Sequence, residues 1–167
     1  HLSGVLPSVL PPKLTIFNAE MNYIEGYLPT TWTAPLTTLS LGENRLVGVL
    51  PATLAQLPLE QVRLGNNVGL NGTLPHEWSG FSSLSTLILT GCSLTGYLPS
   101  SWSQMSKLKV LDLSLNHLAG IIPRNWSSWS IIESIDLTSN RLEGSIVLPF
   151  PSLNTLLLAN NQFDYGF

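Results

Sequence analysis

The sequence predicts a repeat solenoid: one domain over residues 1–167, made of about seven coils of 22–25 residues stacked on one another. Three observations predict it. A Gly-x-Leu/Ile-Pro element returns along the whole chain. A row of leucines with one asparagine returns in phase with it. Tryptophan or leucine stands three residues after each proline. Regular periods of this length mark stacked supersecondary units, none of which can bury its apolar edge alone.

The glycine element reads Gly4–Pro7, Gly26–Pro29, Gly48–Pro51, Gly72–Pro75, Gly96–Pro99 and Gly120–Pro123; a further copy, Gly144–Val147, loses the proline. Successive glycines are 22, 22, 24, 24, 24 and 24 residues apart. The near-identical heptads GYLPTTW at 26–32 and GYLPSSW at 96–102 are two of these copies. Glycine permits a tight bend there, and proline fixes φ on the segment that follows.

The second element is L-x-x-L-x-L-x-x-N-x-L, seen best in Leu108-Leu111-Leu113-Asn116-Leu118. Good copies are Leu36-Leu39-Leu41-Asn44-Leu46, Ile132-Ile135-Leu137-Asn140-Leu142 and Leu153-Leu156-Leu158-Asn161-Phe163. Leu14-Phe17-Ala19-Asn22-Ile24 is the weakest, Leu59-Val62-Leu64-Asn67 carries one extra residue before Leu70, and Leu84-Leu87-Leu89-Cys92-Leu94 has cysteine in the asparagine column. The L-x-L pair alternates with period two, so it is a short strand with one buried face. Asparagine follows where the chain turns inward, and its amide can satisfy backbone groups that a buried turn would orphan.

These motifs are those of the leucine-rich repeat, and the resemblance covers essentially the whole chain. Copies such as LDLSLNHLAGIIP are similar to the plant-type subclass of receptor-kinase ectodomains and polygalacturonase-inhibiting proteins. Where that subclass usually has leucine, three residues after proline, this chain has Trp32, Trp78, Trp102 and Trp126, with Leu10 and Leu54 in other copies. GTLPHEWSGFSSL resembles instead the G-T-L-P-x-E-W repeats of kinetoplastid surface antigens. The resemblance implies an α/β repeat solenoid: a right-handed superhelix, parallel β-sheet on its concave side, irregular or 3₁₀ segments on its convex side. It implies a non-enzymatic extracellular module for recognising a protein, peptide or glycan. The alternative is a structural segment of a glycosylated surface coat or filament.

Composition narrows the choice. Only 10% of residues are charged and the net charge is −3, which argues against nucleic acid or an anionic membrane as partner. No apolar run reaches the roughly 18–20 residues of a membrane span. The chain starts at His1, which leads us to expect a processed form or part of a longer protein. Neither end carries a cysteine-rich cap, so the terminal coils would expose core and allow head-to-tail self-association. His1, His76 and His117 form no metal-ligand spacing, and no cofactor or metal is expected.

Each tryptophan stands at a core leucine position, so packing is expected rather than ligand stacking. Cys92 is expected to be buried and inert. Tyr27 and Tyr97, just after glycines, are expected to be exposed on a lateral side. On the concave face the register exposes Ser40, Glu43, Glu60, Arg63, Ile88, Lys109, Asp112, Glu133, Asp136 and Leu157, the candidate ligand-binding residues. Asp112 and Asp136 fall at equivalent positions of successive strands, about 5 Å apart. Such a pair could in principle serve glycoside hydrolysis or hold calcium. An open face gives no enclosed pocket to shift their pKa values, so a ligand contact is expected and catalysis is not. Asn71-Gly72-Thr73 and Asn125-Trp126-Ser127 are glycosylation sequons at positions expected to be exposed.

Overall fold

The computed structural model describes residues 1–146 and 150–164. Val147, which stands at the proline position of the last glycine element, and residues 165–167 lie outside the described residues.

Each L-x-L segment forms a three-residue strand: β2 (Ile16–Asn18), β4 (Thr38–Ser40), β6 (Gln61–Arg63), β8 (Thr86–Ile88), β10 (Val110–Asp112), β12 (Ser134–Asp136) and β14 (Thr155–Leu157). They pair in parallel, in chain order, as one seven-stranded sheet. Leu39, Val62, Leu87, Leu111 and Ile135 are direct register partners and are buried.

A second sheet, which the sequence reading did not anticipate, forms from the segments holding the glycines. Its strands are β1 (Ser3–Val5), β3 (Tyr23–Tyr27), β5 (Arg45–Val49), β7 (Gly69–Thr73), β9 (Ser93–Tyr97), β11 (His117–Gly120), β13 (Arg141–Gly144) and β15 (Gln162–Phe163), again parallel and in order. The conserved-spacing glycine is therefore not at a bend. It lies within or at the end of a strand, with φ between +77° and +92°, a region that side chains resist. A second constraint excludes a Cβ: the side chain three residues beyond the buried Leu or Ile of one coil, next after that coil's own glycine, lies over the glycine of the next. A Cβ on Gly48 would stand 2.6 Å from Tyr27 Cδ1, and one on Gly72 2.9 Å from Val49 Cγ1.

After each proline the chain makes one 3₁₀ turn in four of the coils: Ala52–Gln56, His76–Gly80, Ser100–Gln104 and Arg124–Ser128. Each points its third residue inward, Leu54, Trp78, Trp102 or Trp126. Trp78 stacks on Trp102 at 6.1 Å between ring centroids, and Trp102 on Trp126 at 6.5 Å. A tryptophan fits this core because its N–H finds a fixed partner. Trp32, Trp78, Trp102 and Trp126 Nε1 donate to the carbonyls of Pro7, Pro51, Pro75 and Pro99 of the preceding coil, at 2.9–3.0 Å.

This ladder also sets curvature. Paired strands of the first sheet lie about 4.8 Å apart, whereas the tryptophans opposite repeat at 6.1 and 6.5 Å. Coils spaced more tightly on one side fan out on the other, so the first sheet lines the concave side.

The asparagine column closes the turns between the two sheets. Asn116 Oδ1 accepts Leu94 N–H at 3.1 Å, and its Nδ2 donates to Leu89 O and Leu113 O at 2.9 and 3.0 Å. Asn44, Asn67 and Asn140 repeat the pattern. Just before each sits a non-glycine residue with positive φ: Glu43, Asn66, Leu115 and Ser139. The asparagine's bonds hold these turns in a conformation that most side chains disfavour.

Candidate functional site

The outward residues of the concave sheet form straight rows because the strands pair without offset. The central row runs Asn18, Ser40, Arg63, Ile88, Asp112, Asp136, Leu157. Arg63, Ile88, Asp112 and Asp136 are partly exposed and Leu157 is exposed. Ser40 is the exception: expected on the open face, it is only 3% exposed. Its small hydroxyl lies in the row between the longer Asn18 and Arg63, and the neighbouring side chains shade it.

A flanking row, one residue before the strands, carries Glu60, Lys109 and Glu133, all exposed. Lys109 Nζ lies 3.1 Å from Glu133 Oε1, with both side chains about half exposed. A pair so exposed contributes little to stability, but it removes Lys109 as an uncommitted cation. Arg63 is left as the cation of the central row, on a face that also carries Glu43, Glu60, Asp112 and Asp136. The face is mildly acidic.

Asp112 and Asp136 are direct register partners, but their carboxylates are engaged locally. Asp112 Oδ1 accepts the backbone N–H of Ser114 at 3.0 Å and its hydroxyl at 2.6 Å, and Asp136 Oδ1 accepts Thr138 N–H at 2.9 Å. These are Asx turns that fix the chain as it leaves the strand. No group of three or more metal-binding side chains occurs among the described residues.

The structure adds a feature that the sequence reading missed. Gly42 and Gly65 occupy adjacent coils at the position where other coils carry Thr90, Ser114 or Thr138. Their bare backbones open a hollow of about 130 Å³ lined by Arg63, Glu20, Glu43, Ile88 and Thr90. The signal was there in the segments LSLGEN and VRLGNN, two glycines in one column.

Cys92 is buried, with its Sγ 3.7 Å from Leu64 O; burial pushes the thiol from 9.0 up to about 11. It is no nucleophile at neutral pH. Tyr27 and Tyr97 are exposed on the second sheet, and Asn71 and Asn125 are exposed on that sheet and on a convex 3₁₀ turn.

Comparison with known proteins agrees with this architecture. Residues 82–142 match a leucine-rich repeat family model and residues 35–57 match another, together about half of the chain. Receptor-like protein 18 of Arabidopsis thaliana is 34% identical over 90 residues, 53% of this chain and 11% of that protein. The structure of a TDR receptor superposes with a TM-score of 0.90 at 31% identity, over 96% of this chain and 29% of that one. The Arabidopsis receptor kinase HAESA, in complex with the peptide hormone IDA and the co-receptor SERK1, gives 0.85 at 27% identity, over 96% and 28%. A plant ice-binding protein gives 0.75 at 25%, over 97% and 62%. The chain belongs to the leucine-rich repeat family, in its plant-type subclass. It spans about a tenth of the curated relative and under a third of the two receptor chains. Receptors and an ice-binding protein share the scaffold, so the function must be argued from the surface.

Proposed function

We propose that this chain is part of an extracellular, non-enzymatic recognition module that holds an extended peptide, or a loop of a protein, along its concave sheet. The observation that carries the reading is the continuous outward row Arg63, Ile88, Asp112, Asp136 and Leu157, in register across adjacent strands. Such a row presents one side chain per strand spacing of about 4.8 Å, so a peptide crossing the coils meets a new contact at each step. The hollow over Gly42 and Gly65 has room for one small side chain. The excess of carboxylates favours a ligand with a net positive charge.

Two further points support the reading. HAESA and RGFR1, both similar in fold, are described in complex with the peptides IDA and RGF2. Asn71 and Asn125 both lie off the concave face, so glycans attached there leave the row open; of the two we propose Asn71 as a glycosylation site, since both N–H groups of Asn125 are already given to Ser100 O and Ser103 Oγ. No helix among the described residues is long and apolar enough to cross a membrane.

A phage-displayed peptide library panned on this protein tests the proposal. Selected peptides should be enriched in lysine and arginine and should lose at least about tenfold in affinity on an Arg63→Glu, Asp136→Lys variant that unfolds like the parent. Equal affinity for parent and variant would refute the concave assignment.

A further inference from the structure

Packing explains only half of the twice-written heptad Gly-Tyr-Leu-Pro-x-x-Trp. Its tryptophan is core. Its tyrosine is not: Tyr27 and Tyr97 are 73% and 74% exposed. Each ring is seated along the next coil in the space a missing Cβ leaves, since a Cβ on Gly120 would stand 2.7 Å from Tyr97 Cδ1, as on Gly48 for Tyr27. An exposed ring so placed loses little freedom when a ligand arrives.

Tyr97 also walls a lateral cleft of about 580 Å³ between its own coil and the next, with Ile121 beside it and Ser100, Arg124 and Asn125 as polar groups. The equivalent cleft two coils earlier provides an internal control. There Val49 stands for Tyr97, Thr73 for Ile121, and His76 and Glu77 for Arg124 and Asn125; its volume is about 340 Å³. His76 and Glu77 contact one another at 3.4 Å. Arg124, by contrast, has no carboxylate within ion-pair distance among the described residues. The sheet surface between Tyr27 and Tyr97 is uncharged but mixed: the exposed Asn71, Thr73 and Thr95 share it with the exposed Val47 and Val49.

An aromatic wall, a guanidinium fork, a serine hydroxyl and an uncharged approach match one ligand chemistry. A pyranose offers an apolar C–H face to an aromatic ring and a rim of hydroxyls to planar donors. We propose that the cleft beside Tyr97 binds a sugar unit of a neutral β-linked oligosaccharide. Its C–H face lies on Tyr97 and its hydroxyls bond Arg124 and the Ser100 hydroxyl, while both N–H groups of Asn125 are already given to Ser100 O and Ser103 Oγ and hold that rim in place. This site is separate from the concave row and stands whether or not that row binds peptides.

The test uses protein made in a bacterial host, so that Asn125 carries no glycan, titrated by calorimetry with cellohexaose, mannohexaose and chitohexaose. At least one should bind saturably. Tyr97→Ala should weaken it about tenfold, Tyr97→Phe should keep it, and Val49→Ala in the control cleft should leave it unchanged. Because Tyr97 is exposed, its variants are expected to match the parent's denaturation midpoint, which checks folding. Failure of all three sugars to bind at millimolar concentration, or full binding by Tyr97→Ala, would overturn the proposal.

Discussion

Restoring the family consensus at Cys92 should not stabilise this protein, whereas copying cysteine into the next coil should damage it. The reason lies one coil earlier. In ordinary coils the asparagine oxygen accepts an amide of the preceding coil, as Asn116 does from Leu94. The coil before Cys92 contains the extra residue Val68, looped out at 76% exposure, and its Leu70 N–H donates to Asn67 O at 2.9 Å within the same turn. No amide is left for a side chain in the Cys92 position to accept. The two irregularities of the repeat compensate each other. In Asn116→Cys, Leu94 N–H and Leu89 O lose their side-chain partner, while Leu113 O keeps Asn140. Two buried orphaned groups cost about 2–5 kcal/mol, less a weak thiol contact. In Cys92→Asn, the amide nitrogen finds carbonyls but the buried oxygen finds no donor, so the expected change is between zero and about 1 kcal/mol destabilising. Urea unfolding followed by tryptophan fluorescence reads both, and Asn116→Cys should lower the midpoint by roughly 1–2 M. A change under about 0.5 kcal/mol in Asn116→Cys, or a gain above that in Cys92→Asn, would refute the reasoning.

Other consequences follow from the same geometry. Trp102→Leu, the family's usual residue, should destabilise by about 2–4 kcal/mol in the same denaturation assay, through a cavity and an orphaned Pro75 carbonyl. Gly48→Ala should cost more than Gly4→Ala, because both glycines have positive φ but a Cβ on Gly4 meets nothing within 4 Å; paired midpoints measure the difference. Since burial raises the Cys92 thiol to about 11, the unfolded chain releases its proton first as pH rises. The folded state should therefore lose stability from about pH 9 to 11, an effect absent in Cys92→Ala.

What could be read from the residues alone depended on how narrowly chemistry restricts each column. The leucine pairs and the asparagines are periodic and admit few substitutes, so strands, core and inner turns were legible down to single positions such as Leu111 and Asn140. The second sheet was not. Its outward residues, Val47, Asn71 and Thr95 among them, follow no pattern, and its glycines looked like bends because glycine serves bends and left-handed strand positions alike. The exposed face was legible in register but not in depth. Ser40 is on the correct side of its strand yet shaded, since exposure depends on neighbours in the adjacent coils, Asn18 and Arg63, a full repeat away in sequence. The tryptophan N–H bonds to proline carbonyls were also hidden. They explain why tryptophan replaces leucine, and they arise only once coils are stacked.

The measurement that bears most directly on the recognition surface is photo-crosslinking. A library-selected peptide carrying a photoreactive side chain would be irradiated with the protein, and the attachment sites mapped by mass spectrometry. Attachment should concentrate on the concave segments 60–63, 85–88, 109–112 and 133–136. Attachment confined to the 3₁₀ turns of the convex side, around Ser79, Ser103 and Ser127, would contradict the account.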